Sequence, residues 1–121
     1  MSLSFFSINI HKSRDVWSEL IKYDNAVFAL QEVSVLQKPS VPGINLIRLG
    51  KSKTAIAFTG RPDVVPVPDL CNNCITTTVL CVGDKKYVLV SLYLESNKPL
   101  NFELMQKVVK YQRGNNYKLI M

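Results

Sequence analysis

Phe28-Ala29-Leu30-Gln31-Glu32-Val33 is the stretch from which the rest of the chain can be read. A short apolar run leads directly into Gln-Glu, and runs of this length bounded by polar residues read as buried strands. A strand that closes on Glu32 leaves one carboxylate at the rim of a sheet. Such a group is costly to bury unless it is paired or bound to a metal. Rims at strand C-termini are also where α/β proteins usually place their chemistry. The plain alternative is a solvent-facing or ion-paired glutamate, since Leu-Gln-Glu arises by chance in many helices.

Upstream, residues 3–10 (Leu-Ser-Phe-Phe-Ser-Ile-Asn-Ile) are rich in aromatic and β-branched residues and read as a buried first strand. Ser13 is a candidate cap for a helix carrying Asp15 in its first turn. Val16, Trp17, Leu20 and Ile21 fall on one face at helical spacing, and turn residues cluster at Tyr23-Asp24-Asn25. Residues 3–32 therefore predict a β-α-β unit with parallel strands.

Downstream, Gln37 to Gly43 carries two prolines and a glycine and reads as loop. Ile44 to Leu49 and Thr54 to Thr59 predict an antiparallel hairpin around Gly50-Lys51-Ser52-Lys53. Arg61 to Asp69, with Pro62, Pro66 and Pro68, can only be an edge or a connecting arm. Cys74 to Val82 and Tyr87 to Leu94 predict a second hairpin across Gly83-Asp84-Lys85-Lys86. Leu104, Met105, Val108 and Val109 form the core stripe of a second helix ending at Gly114. Tyr117 to Met121 begins another strand at the end of the chain.

Composition narrows the class. With 121 residues, 47% hydrophobic and 20% charged, and a mean hydropathy of +0.09, the chain suits one globular domain with a real core. No apolar stretch reaches the roughly 18 residues of a membrane span, and Met1 to Phe6 lacks the basic start of a signal peptide. The net charge of +6 is spread evenly. Residues 1–60 hold seven Lys/Arg against four Asp/Glu, and the remainder eight against five. A broad positive face of this kind suits a polyanion, and ordinary solubility explains it equally well. Three cysteines without a secretory signal predict a reducing, intracellular setting, nuclear or cytoplasmic. Cys71-Asn72-Asn73-Cys74 has the spacing of half a zinc or redox site. Only Cys81 and His11 remain as further ligands, so these cysteines read as small residues on a half-buried strand.

Four pieces, taken in order, match one pattern: Ser7-Ile8-Asn9-Ile10 with Lys12-Ser13-Arg14, Leu30-Gln31-Glu32, Val90-Ser91-Leu92-Tyr93, and Lys118-Leu119-Ile120-Met121. Together they resemble the endonuclease/exonuclease/phosphatase superfamily, which includes pancreatic deoxyribonuclease and apurinic/apyrimidinic endonucleases. The Asn9-Ile10-x-x-Ser13-Arg14 opening is most similar to the endonuclease domains of non-LTR retrotransposons. The resemblance implies an α/β fold: the N-terminal half of the layered, deoxyribonuclease I-like sandwich, a mixed sheet with helices on one face, roughly one of its two α/β repeats.

It also implies a site. Asn9 would orient a catalytic carboxylate and the scissile phosphate, Glu32 would bind Mg²⁺ or Mn²⁺, and Tyr93 would contact the phosphate or its developing charge. The implied activity is phosphodiester hydrolysis, nicking a DNA duplex for reverse transcription. The pattern's Gly-Asp-x-Asn motif, which positions water, and its Ser-Asp-His motif, which supplies the base, would lie beyond Met121. Residues 1–121 are thus expected to be a single, C-terminally truncated domain, inactive alone. His11 lies two residues past Asn9, reads as a surface residue, and does not replace the missing histidine. Glu95-Ser96-Asn97-Lys98-Pro99 replaces the usual proline-containing loop after Tyr93. The alternative is a non-catalytic relic that binds nucleic acid or protein. A third reading is an interrupted reading frame whose product folds only with a complementary C-terminal half, or self-pairs through the exposed edge at 117–121.

Overall fold

The structure is a computed structural model that describes residues 3–11, 13, 15–34, 42–94 and 102–121. Lys12 and Arg14 of the opening motif, most of the loop read at Gln37 to Gly43, and the Glu95 to Pro99 loop lie outside the described residues.

Among the described residues, eight strands and two helices follow one another in the order β1 (Ser4–Asn9), α1 (Val16–Leu20), β2 (Ala26–Gln31), β3 (Ile44–Ile47), β4 (Thr54–Thr59), β5 (Asp63–Pro66), β6 (Ile75–Val82), β7 (Lys85–Leu92), α2 (Phe102–Gly114) and β8 (Lys118–Ile120). A 3-10 turn, Pro68–Leu70, lies between β5 and β6. The strands form two four-stranded mixed sheets, ordered β1-β2-β4-β3 and β5-β6-β7-β8. The α/β class is as expected. The chain does not supply one repeat with one sheet, however. It contributes four strands to each of two sheets, so both halves of a sandwich are already present.

Strand alternation explains the layering. Along β2, Ala26, Phe28 and Leu30 point outward and pack with Trp17 and Leu20 of α1. Val27 and Ala29 point inward and meet Ile56, Leu80 and Leu89 between the sheets. Val88 and Val90 of β7 face away from that seam and cover Leu104 and Val108 of α2. The order of layers is therefore helix, sheet, sheet, helix, with each sheet carrying its helix on one face. Both faces of β2 are closed, which is why its sequence is a continuous apolar run.

Two expectations need correction. The first strand is not buried. β1 pairs only with β2, in parallel, and four of its six residues are exposed. It is held by Phe6, whose ring stacks on Phe28 with centroids 5.4 Å apart and also meets Tyr23 at 4.9 Å. The first helix spans only Val16–Leu20, and its N-cap is Asp15 in place of Ser13, with no cap hydrogen bond from the Asp15 side chain. Its apolar face is the one expected, with Trp17 and Leu20 buried. The prolines also act as read: β5 is an edge strand, with Pro66 opposite Thr78.

At one end the sheets are laced by hydroxyl groups. Thr54 of β4 and Thr76 of β6 share a hydrogen bond of 2.8 Å, and Ser52 donates to the Asn72 carbonyl at 2.9 Å. Gln31 donates to Ser91 of β7 at 3.2 Å, and Ser91 in turn donates to the Leu30 carbonyl at 2.7 Å. Strand pairing sets these residues side by side, Gln31 opposite Thr54 and Thr76 opposite Ser91. Ser52, Thr54, Thr76 and Ser91 are at most 1% exposed. Paired this way, none carries the penalty of an unmade buried hydrogen bond.

Candidate functional site

The laced end of the sandwich is also where the three expected site residues come together. Asn9 is the last residue of β1, Glu32 follows β2 directly, and Tyr93 follows β7 directly. Parallel pairing places Asn9 beside Gln31, one residue from Glu32. The Gln31–Ser91 bond brings the end of β7 to the same rim. All three are therefore set at strand C-termini, on one edge of a rigid core, which is the preferred location for a ligand site in α/β folds.

Asn9 is oriented from both sides. Its Oδ1 accepts the His11 backbone N–H at 3.0 Å, a side-chain turn typical of asparagine. The amide nitrogen is thereby aimed at Glu32, and Nδ2 donates to Oε1 at 3.2 Å. Tyr93 gives Glu32 a further side-chain hydrogen bond, and its own backbone is fixed by a 2.9 Å bond from its N–H to the Cys74 carbonyl. Beyond Glu32, Val33 N–H donates to the Lys53 carbonyl at 3.0 Å, and Arg48 ties the Ser52 and Val33 carbonyls.

The strand does not end on Glu32 as expected. β2 stops at Gln31, and Glu32 has φ +55°, in the left-handed region that few non-glycine residues adopt. This reversal of direction matters. Regular alternation would send residue 32 back to the outer face, beside Leu30. The left-handed turn instead leaves the carboxylate 27% exposed at the rim.

Glu32 is held below the ordinary glutamate value of 4.5. The Asn9 amide is the main cause. Partial desolvation opposes it, and the charge and hydrogen bond of His11 and the hydrogen bond of Tyr93 add to it. The group is thus a carboxylate at neutral pH.

His11 is at the surface, as read, and also reaches this constellation. It is 77% exposed, but its Nδ1 stands 3.3 Å from Oε2 of Glu32. The signal was in the sequence: an asparagine that caps the N–H two residues on folds that residue back over the strand end. Of the cysteines, Cys74 adjoins the rim through its carbonyl, which accepts the Tyr93 N–H. Cys71 is half-buried, its sulfur accepts the Thr77 N–H at 3.3 Å, and burial pushes its thiol up. Among the described residues no three His, Cys, Asp or Glu side chains gather as a metal cage, and no helix is long and apolar enough to cross a membrane.

The donor set still fits a hard cation. Glu32 offers an ionised, partly exposed oxygen pair, and Mg²⁺ needs only one or two carboxylates when water and phosphate complete its shell.

No protein-family model matches the sequence, and no curated protein is significantly similar to it. Among solved structures, the chain is similar to the endonuclease domain of TRAS1, a telomere-specific non-LTR retrotransposon, with a TM-score of 0.71 at 21% identity. The similarity covers 98% of this chain and 56% of that one. The likeness to non-LTR retrotransposon endonuclease domains, read from four short motifs, thus holds for the fold of the described residues, and the chain spans a little over half the length of the structure it matches.

Proposed function

We propose that the chain carries the cation- and phosphate-binding part of a Mg²⁺-dependent phosphodiester site that acts on duplex DNA. The observation that carries this reading is the Glu32 carboxylate, held at a sandwich rim by donors from Asn9 and Tyr93, residues far apart in sequence. In this reading Glu32 holds Mg²⁺ or Mn²⁺, which when bound polarises a phosphate oxygen as a Lewis acid. Asn9 keeps the carboxylate oriented, and Tyr93 is placed to turn its hydroxyl toward a phosphate oxygen. The +6 charge favours approach of the polyanion. The nuclease fold of the TRAS1 domain supports the same assignment.

Among the described residues no three His, Cys, Asp or Glu side chains gather around Glu32 as a metal cage. The 121 residues by themselves are therefore expected to bind DNA and to nick it little or not at all. That feature favours a second reading, a non-catalytic module that holds DNA through its positive face alone.

Duplex binding followed by fluorescence anisotropy separates the two. The metal-site reading predicts binding strengthened by Mg²⁺, reversed by EDTA, and insensitive to Mg²⁺ in Glu32→Gln. Salt-dependent binding indifferent to both EDTA and Glu32→Gln would leave only the binding module. Mg²⁺-dependent nicking of supercoiled plasmid that Glu32→Gln abolishes would instead show the site to be complete in these residues.

A further inference from the structure

His11 is the chain's sole histidine, and its imidazole faces the carboxylate proposed above to hold a cation. We propose that His11 is a second protein ligand at this centre, so that the site takes transition-metal dications such as Zn²⁺ more tightly than Mg²⁺. The inference rests on the metal-site reading and adds a ligand and a selectivity to it.

The first argument is distance. Charge-assisted hydrogen bonds between N–H and carboxylate are typically about 2.7–2.9 Å. The 3.3 Å between His11 Nδ1 and Glu32 Oε2 is longer than that. Nitrogen and oxygen ligands about 2.1 Å from one zinc ion stand roughly 3.0 Å apart at a right angle and roughly 3.4 Å apart at the tetrahedral angle. The observed separation lies within that range, so the two atoms are spaced as ligands of one ion are.

The second argument is how the two side chains are held. Asn9 bonds the His11 backbone and the Glu32 carboxylate with its two amide atoms, coupling the pair through one side chain. His11 and Glu32 are both left-handed, with φ +49° and +55°, and the other two non-glycine residues of this kind among those described are asparagines. An exposed histidine–carboxylate pair contributes little by itself, so the pair is a weak reason for such a backbone. A shared ion is a better one.

The third argument is ligand chemistry. Imidazole binds Zn²⁺, Co²⁺ and Ni²⁺ well, whereas Mg²⁺ prefers oxygen throughout. A site of one carboxylate and one imidazole therefore discriminates between them, with water and phosphate filling the remaining positions.

The test is an NMR titration of the 121-residue chain with Zn²⁺, and separately with Mg²⁺. It follows the ¹⁵N signals of the one imidazole and the backbone amides of Asn9, Glu32 and Tyr93. Ions captured by Cys71, Cys74 or Cys81 leave the imidazole nitrogens unmoved, so the readout is specific. The expected result is a saturating shift at Nδ1 with Zn²⁺ that Glu32→Gln removes. His11→Gln is expected to weaken Zn²⁺ roughly tenfold or more at the Glu32 amide, and Mg²⁺ by a clearly smaller factor. If Mg²⁺ moves the site amides but Zn²⁺ leaves Nδ1 unmoved, His11 is no ligand and the metal-site reading survives. If neither ion moves Asn9, Glu32 or Tyr93, both are overturned.

Discussion

Two polar clusters lie side by side at one end of this sandwich, and they solve the same problem in opposite ways. Ser52, Thr54, Thr76 and Ser91 are dry and bonded to each other or to backbone across the sheets. Asn9, His11, Glu32 and Tyr93 form the wet cluster, built around an ionised carboxylate that remains 27% exposed. The two touch along β2, where Gln31 belongs to the first and Glu32 to the second. Neutral hydroxyls can be satisfied in pairs inside a protein, while a carboxylate needs water, a cation or several donors. The dry cluster fixes how the sheets meet, and the wet cluster is thereby held in place with bonding capacity to spare.

The most severe way to break this contrast is to force a charge into the dry cluster. Thr54→Asp would bury a carboxylate among neutral hydroxyls, and about 3–5 kcal/mol should be lost, measured by urea denaturation. Retention of full stability would mean the interface is wet. Next, Thr54→Val strands the hydroxyl of Thr76, and about 1–3 kcal/mol is expected to go. The double variant Thr54→Val, Thr76→Val should lose less than the sum of the two single changes, since no partner is then left unmet. Additive losses would show that the two hydroxyls do not interact.

Glu32→Gln is the converse experiment. Stability should change by no more than about 0.5 kcal/mol, as for an ordinary surface position, while divalent-cation binding disappears. A large loss of stability would make Glu32 a structural residue. The smallest effect concerns protonation. Glu32 lies below its ordinary value of 4.5, so its contacts stabilise the folded chain above that pH. Their contribution is lost as pH falls through the lowered folded value. Removing the main cause with Asn9→Ala should raise the Glu32 value toward 4.5 and narrow that window, as followed by carboxyl ¹³C NMR. An unchanged titration would show that Asn9 is not the dominant partner.

What was legible in the sequence was local. Thr54 to Thr59 is a strand over those residues, because alternating Ala and Ile between turn residues leaves little choice. The core stripe of α2 was equally plain, with Leu104 and Val108 buried as spacing required. Exposure of β1 was not legible, since Phe5, Phe6 and Ile8 look the same whether the strand is central or at an edge. The division into two sheets was hidden for a related reason: nothing in the β6 run Thr76-Thr77-Thr78 names Thr54 as a partner. Asn9, Glu32 and Tyr93 could be gathered only through resemblance, because their spacing in sequence reflects the fold's topology. His11 was set aside because position was counted along the chain, whereas the Asn9 side chain and a left-handed residue turn it back over the strand end.

The functional reading turns on Glu32 as the proposed cation-binding carboxylate. A Mg²⁺ titration of the chain, followed by amide NMR in parallel with Glu32→Gln, tests it most directly. Saturable shifts confined to Asn9, His11, Glu32 and Tyr93 and their neighbours, absent from the variant, are expected. Shifts that persist in Glu32→Gln, or a site that stays silent into the tens of millimolar, would contradict that reading.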